Sequence, residues 1–169
     1  MIVTVVAGNP KPASRTLDAA HIVAQALSGR DADHAVDVVE LGPGLLGWGD
    51  PTVADAVATV AASDLLVVAS PTFKATYTGI LKLFLDQFDT GTGLAGVTAV
   101  PLMLGAGPAH ALAPDLLLKP VLVELGAVCP AQGLYLGDKV YDQPGSTDPW
   151  VARWGSAVLA SATPDGSTP

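Results

Sequence analysis

The chain is read as an α/β protein: a three-layer sandwich with a five-stranded parallel sheet and helices on both faces. Two observations carry this. Short β-branched runs that are apolar on both faces alternate with segments whose apolar residues recur at helical spacing. Loops rich in Gly, Pro and Ser separate them, so strand and helix follow each other in turn, the pattern of a parallel sheet. Composition agrees: half of the 169 residues are hydrophobic and 14% are charged, against about 25% charged in ordinary soluble domains.

The first strand is Met1-Ile2-Val3-Thr4-Val5-Val6-Ala7, followed by the loop Gly8-Asn9-Pro10-Lys11-Pro12-Ala13-Ser14. Leu17, Ala20, Ala24 and Leu27 then mark a helix that Gly29 ends. Val36, Val38, Val39 and Leu41 predict a second strand, and Gly42–Gly49 a loop containing Trp48. Asp50-Pro51 starts a helix, a capping carboxylate before a proline at the first helical position, with Val53, Val57 and Val60 as its stripe. Leu65–Ala69 is the clearest buried strand, and Ser70-Pro71 breaks it. Ile80, Leu81, Phe84, Leu85 and Phe88 share a helix face.

Val97–Leu104 predicts a fourth strand, in which Pro101 implies a bulge because proline cannot donate to a ladder. A helix over 109–125 carries Pro114 and Pro120, either of which kinks it. Val128–Leu136 reads as a fifth strand, and Asp148-Pro149 opens a last helix anchored by Trp150 and Trp154. One domain over residues 1–160 is expected, with a disordered tail over 161–169.

Eight basic against sixteen acidic residues give a net charge of −8, which argues against nucleic acid or an anionic membrane as partner. No apolar run reaches the ~20 residues of a membrane span, and the first strand begins without a basic leader, so a cytoplasmic protein is expected. The single cysteine, Cys129, excludes an internal disulfide and reads as a small core residue. His21, on a helix, and His34, in a polar stretch, make no metal site; His110 reads as structural, with contact to a bound ligand as its alternative, and Lys82 and Asp86 as an exposed pair four apart on a helix.

In a parallel sheet with this strand count the order reverses between strands one and three, and ligands sit at their carboxyl ends. Three loops fall there. The first joins a strand to a helix start, whose free N–H groups and dipole favour an anion. Asn9, Ser14 and Thr16 add polar side chains, and Lys11 and Arg15 add charge; a capped helix with solvated charges is an equally good reading of these residues alone. It lacks the triphosphate and dinucleotide glycine patterns, so it suits a single phosphate. The second, Pro71-Thr72-Phe73-Lys74, offers a platform for a flat ring, or else a turn with Phe73 packed inward. The third, Gly105-Ala106-Gly107, lets backbone approach a ligand closely.

Gly8-Asn9-Pro10-Lys11-Pro12-Ala13-Ser14-Arg15-Thr16 resembles the phosphate loop of NAD(P)H-dependent FMN reductases. The run from Ser70 to Asp86 is similar to their second motif, and Gly107-Pro108-Ala109-His110 through Lys119-Pro120-Val121-Leu122 to the branch that serves sulfonate monooxygenases. The resemblance runs from Met1 to about Tyr141. It implies a flavodoxin-like fold, FMN on Asn9, Lys11, Ser14, Arg15, Thr16, Pro71–Lys74 and Gly105–Gly107, NADPH or NADH as hydride donor, and a homodimer or homotetramer. It also implies that electrons pass to free flavin, a monooxygenase partner or a small acceptor. An FMN-binding electron carrier without nicotinamide turnover, and a quinone, azo or chromate reductase of the same fold, are the alternatives. Asn9 stands where the family usually has Ser. Leu116 stands where some members have a Tyr associated with a π-bulge, and on that departure FMN is expected to stay bound.

Overall fold

The computed structural model describes residues 1–163. Five parallel strands, β1 (Val3–Ala7), β2 (His34–Asp37), β3 (Leu65–Pro71), β4 (Thr98–Gly105) and β5 (Leu134–Gly137), lie in the order β2-β1-β3-β4-β5. This is the flavodoxin-like order, and the expected three-layer sandwich is what forms. Leu65, Val67 and Ala69 of β3 face one layer while Leu66 and Val68 face the other, the period-two alternation of a strand buried on both sides.

The first layer holds α1 (Arg15–Ser28) and α5 (Asp148–Ala162). Ala19, Ala20, Val23, Ala24 and Leu27 of α1 pack with Val158 and Ala162 of α5 against Val3, Val5, Val100 and Leu102. The small alanines let helix and sheet approach closely. Gly29 closes α1 at φ 73°, its N–H on the Gln25 carbonyl. The second layer holds α2 (Pro51–Ala61), α3 (Gly79–Leu85) and α4 (Lys119–Glu124) over Val6, Val68, Ala99 and Met103. Asp50 caps α2 as expected, accepting from the N–H groups of Thr52 and Val53. Trp150 ties α5 down by donating from Nε1 to the Gln132 carbonyl at 2.8 Å.

Several boundaries differ from expectation. β2 stops at Asp37, and Val38–Leu46 winds into 3-10 turns across Gly42, so Val38 reaches the core as a turn residue. β3 continues through Ser70 and Pro71, which pair with Met103 and Leu104. Proline's lack of a donor costs nothing at a strand's last residue. β5 begins only at Leu134; Val128 makes one bridge to Thr98, and residues 129–133 bow away.

That bow explains Pro101 without a bulge. The Ala99 N–H points to Val128 on the β5 side, so Pro101, two residues on, faces the same side where β5 has not yet begun. α3 ends at Leu85, with Phe88 buried beyond it. The last helix reaches Ala162, so residues 161 and 162 are helical rather than tail; the rest of the expected tail lies outside the described residues beyond 163. Among the described residues no helix is long and apolar enough to cross a membrane.

Candidate functional site

The carboxyl ends of β1, β3, β4 and β5 open on a cleft of about 530 Å³. Asn9, Lys11, Ser14, Arg15 and Thr16 line one end, Pro71, Thr72 and Phe73 the middle, and Gly105 and Ala106 the far wall. Ten of the twelve expected residues therefore share one cavity. Gly107 lines the adjoining depression of about 560 Å³ with Thr72, Tyr135 and His110. Lys74 stands apart on an exposed turn tip, outside the lining of both.

The first loop is held in shape by its own side chains. Asn9 Oδ1 accepts from the Lys11 N–H at 3.0 Å, and Asn9 Nδ2 donates to Thr16 Oγ1 at 2.9 Å. Ser14 caps α1, accepting from the Leu17 N–H. Ala13 is left-handed at φ 48°, and its N–H donates to Asp37 Oδ2 at 2.9 Å. The end of β2 thus braces a strained loop, the kind of conformation that clusters at ligand sites. Gly8 is required: a Cβ there would lie 2.3 Å from Leu81 Cβ.

The second loop is a two-residue hairpin. Phe73 and Thr76 exchange backbone hydrogen bonds, with Lys74 and Ala75 both at positive φ, a type I′ turn. This geometry turns Phe73 outward, 51% exposed on the cleft, rather than packed inward. Thr78 knits loops one and two together: its N–H donates to Ser70 Oγ, and its hydroxyl donates to the Gly8 carbonyl.

The third loop is pinned by a residue the sequence reading missed. Tyr135 on β5 donates its hydroxyl to the Gly107 carbonyl at 2.7 Å, and a Cβ on Gly105 would lie 1.9 Å from that oxygen. Asp138 was also missed. Arg15 Nη1 donates to its carbonyl at 2.7 Å, and Nη2 lies 3.7 Å from Oδ2. No local pattern marks either residue, because each reaches the site only once β5 pairs with β4.

Beyond loop three, Pro108–His110 is a 3-10 turn and Pro114–Leu118 a π-helical turn that leads into α4. The π turn forms with Leu116 in it, so no aromatic is needed there. Pro120 supplies a physical reason for it, having no N–H for the Leu116 carbonyl and crowding that carbonyl. Lys119 bonds Pro114 across that wider turn.

The donor set and shape fit a phosphorylated aromatic ligand. Two cations and a helix N-terminus stand at one end, an exposed aromatic and a close-approach glycine at the other. Thr72 Oγ1 and Asp138 Oδ1 are buried on its walls with no hydrogen-bond partner among the described residues.

Comparison with known proteins agrees with that geometry. The family model described as NADPH-dependent FMN reductase matches residues 1–142. The NADH-dependent FMN reductase SfnF of Pseudomonas putida is 31% identical over 155 residues, covering 87% of this chain and 83% of that protein. The FMN reductase (NADPH) of Escherichia coli K12 is 32% identical over 142 residues, 82% of this chain and 74% of that one. Among solved structures, the apo form of NADH:FMN oxidoreductase (EMOB) superposes with a TM-score of 0.80 at 31% identity, covering 99% of this chain and 91% of that one. On the extent of these matches, this chain belongs to the NADPH-dependent FMN reductase family.

Proposed function

We propose that the protein is an NAD(P)H-dependent FMN reductase that binds FMN along the cleft, with its phosphate on the first loop and its ring between the second and third. The observation that carries this is the meeting, at the β1/β3 reversal, of the cationic helix start with the exposed Phe73 and the open backbone of Gly105–Gly107. The family match supports the same reading. Bound FMN supplies the redox chemistry, accepting hydride from the nicotinamide.

The protein's share is orientation. Lys11, Arg15, Ser14, Thr16 and the first turn of α1 hold the phosphate, and Asn9 keeps Lys11 and Thr16 in register. Pro71, Thr72 and Phe73 form the ring platform, with Lys74 outside it on the turn tip. The Thr72 and Phe73 N–H groups are taken by the Leu104 and Thr76 carbonyls, so backbone N–H groups of the third loop would be the ones to offset negative charge on the ring. No acid or base is assigned, since hydride transfer between stacked rings requires none.

Steady-state oxidation of NADH and of NADPH with free FMN tests this directly. Turnover with neither nucleotide would leave a passive electron carrier. Arg15→Ala tests the phosphate assignment: it should weaken FMN far more than riboflavin, and equal losses would refute it.

The π turn favours a reading in which reduced FMN leaves for a flavin-dependent monooxygenase, against the tight retention expected from Leu116 alone. Initial rates with nicotinamide and FMN varied should then give intersecting lines. Parallel lines would restore alternation at one site.

A homo-oligomer belongs to the same proposal. Leu83, Leu112, Leu116 and Leu117 are exposed along the helices after loops two and three, and apolar surface of this extent seldom stays bare. Phe84, on the same helix as Leu83, is fully buried in the core and takes no part in this surface.

A further inference from the structure

We infer that Asp138 sets how firmly the cleft holds a phosphorylated flavin, its carboxylate opposing the phosphate and keeping the ligand exchangeable. This rests on the cleft being the FMN site.

Among the described residues lining the cleft, Asp138 is the one carboxylate, beside Arg15 in a lining that also includes Lys11. Its N–H donates to the Gly105 carbonyl at 3.0 Å, which fixes the residue on the wall where β5 ends. The division of labour within the residue is the telling point. An acidic residue whose purpose was to anchor Arg15 would present both carboxylate oxygens to the guanidinium fork. Here the backbone carbonyl takes the short bond at 2.7 Å, while Oδ2 stands off at 3.7 Å. Oδ1 is buried and has no partner among the described residues.

The neutral backbone therefore orients Arg15, and the charge is left to act through its field. In a partly buried cleft that field is screened less than at an open surface, and it repels a phosphate dianion. Asp37, the other carboxylate at this loop, differs: its Oδ2 is occupied by the Ala13 N–H, so its removal would disturb the loop itself. Asp138 can lose its charge and keep its backbone contacts.

The experiment is titration of FMN and of riboflavin into the wild type and Asp138→Asn, followed by flavin fluorescence at low and high salt. The variant should bind FMN about five- to tenfold more tightly at low salt, with a smaller gain at high salt, as for any screened charge. Riboflavin, which carries no phosphate, should change by less than about twofold on the same reasoning. FMN release in stopped flow should slow in proportion. Asp138→Ser repeats the test should the amide perturb folding.

Unchanged FMN affinity overturns the inference. So does weakening of FMN alone, which would make Asp138 a positioning residue for Arg15, and so does weakening of both ligands, which would mean that Oδ1 accepts from the flavin. Wild-type protein that binds FMN no better than riboflavin would instead remove the phosphate assignment beneath the inference, and the inference with it.

Discussion

Single atoms decide the shape of the cleft. A Cβ on Gly8 meets Leu81 Cβ at 2.3 Å, deep between β1 and α3 where neither side can yield. Gly8→Ala should cost about 1–3 kcal/mol of stability, the usual range for overpacking, measured by urea denaturation. Gly105→Ala acts differently, because the atom it meets is the Tyr135 hydroxyl. That hydroxyl would leave the Gly107 carbonyl and loosen the third loop. FMN and riboflavin should then weaken together, unlike the split expected of Arg15→Ala, and titration of both separates the cases. Burial, partly offset by Lys119, pushes the Cys129 thiol up to about 11 from 9.0. Its alkylation at neutral pH should be far slower than that of a free thiol. A raised pKa means that the folded state keeps its proton longer. The thiol's contribution to stability is therefore full below pH 9 and is lost as pH rises through about 11. Cys129→Ala should flatten that alkaline decline, by at most about 3 kcal/mol.

Elements are placed by their ends. Ser14 and Asp50 cap α1 and α2, and replacing Asp50 with Ala should cost about 1 kcal/mol while leaving flavin binding intact, since α2 lies away from the cleft lining. Prolines mark the irregular elements. Pro101 sits where β4 lacks a partner on the β5 side, and Pro120 has no N–H for the Leu116 carbonyl at the π turn. Pro120→Ala restores an N–H for the Leu116 carbonyl, so Pro114–Leu118 should revert to ordinary helix. Amide exchange at residue 120 would show the new protection. An unaltered wide turn in a crystal structure of the variant would show that tertiary packing, not Pro120, holds it open. If the turn governs flavin release, the same variant should retain FMN longer.

At the scale of the molecule, the exposed leucines carry the proposed assembly. Leu116 and Leu117 are 67% and 37% exposed beside Leu112 at 57%. Sedimentation at micromolar concentration should find a dimer or tetramer. Leu116→Glu with Leu117→Glu should shift it towards monomer without unfolding it, because neither side chain fills the core. A wild-type monomer would refute the assembly.

The strands, the helix starts and the three loops were legible in the chain because each depends on neighbours in sequence. Leu65–Ala69 is apolar on both faces, Asp50-Pro51 is a cap, and the loops fall where strands end. Alternation of strand and helix with right-handed crossovers leaves few sheet orders, so the β1/β3 reversal and its ligand end followed as well. Other features required the folded sheet. Val38 turns inward on a 3-10 turn, and residues 129–133 bow out where Val128 is followed by Cys129-Pro130. Phe73 faces the cleft because Lys74 and Ala75 take up a type I′ turn that neither residue type favours. Asp138 lies 123 residues from Arg15, and Tyr135 lies 28 from Gly107. A contact across such a separation leaves no local period, cap or turn signal behind it. Only strand pairing brings the two ends together, and so the sequence alone determined where the ligand end of the sheet lies, while the tertiary structure decided which charge faces Arg15 there.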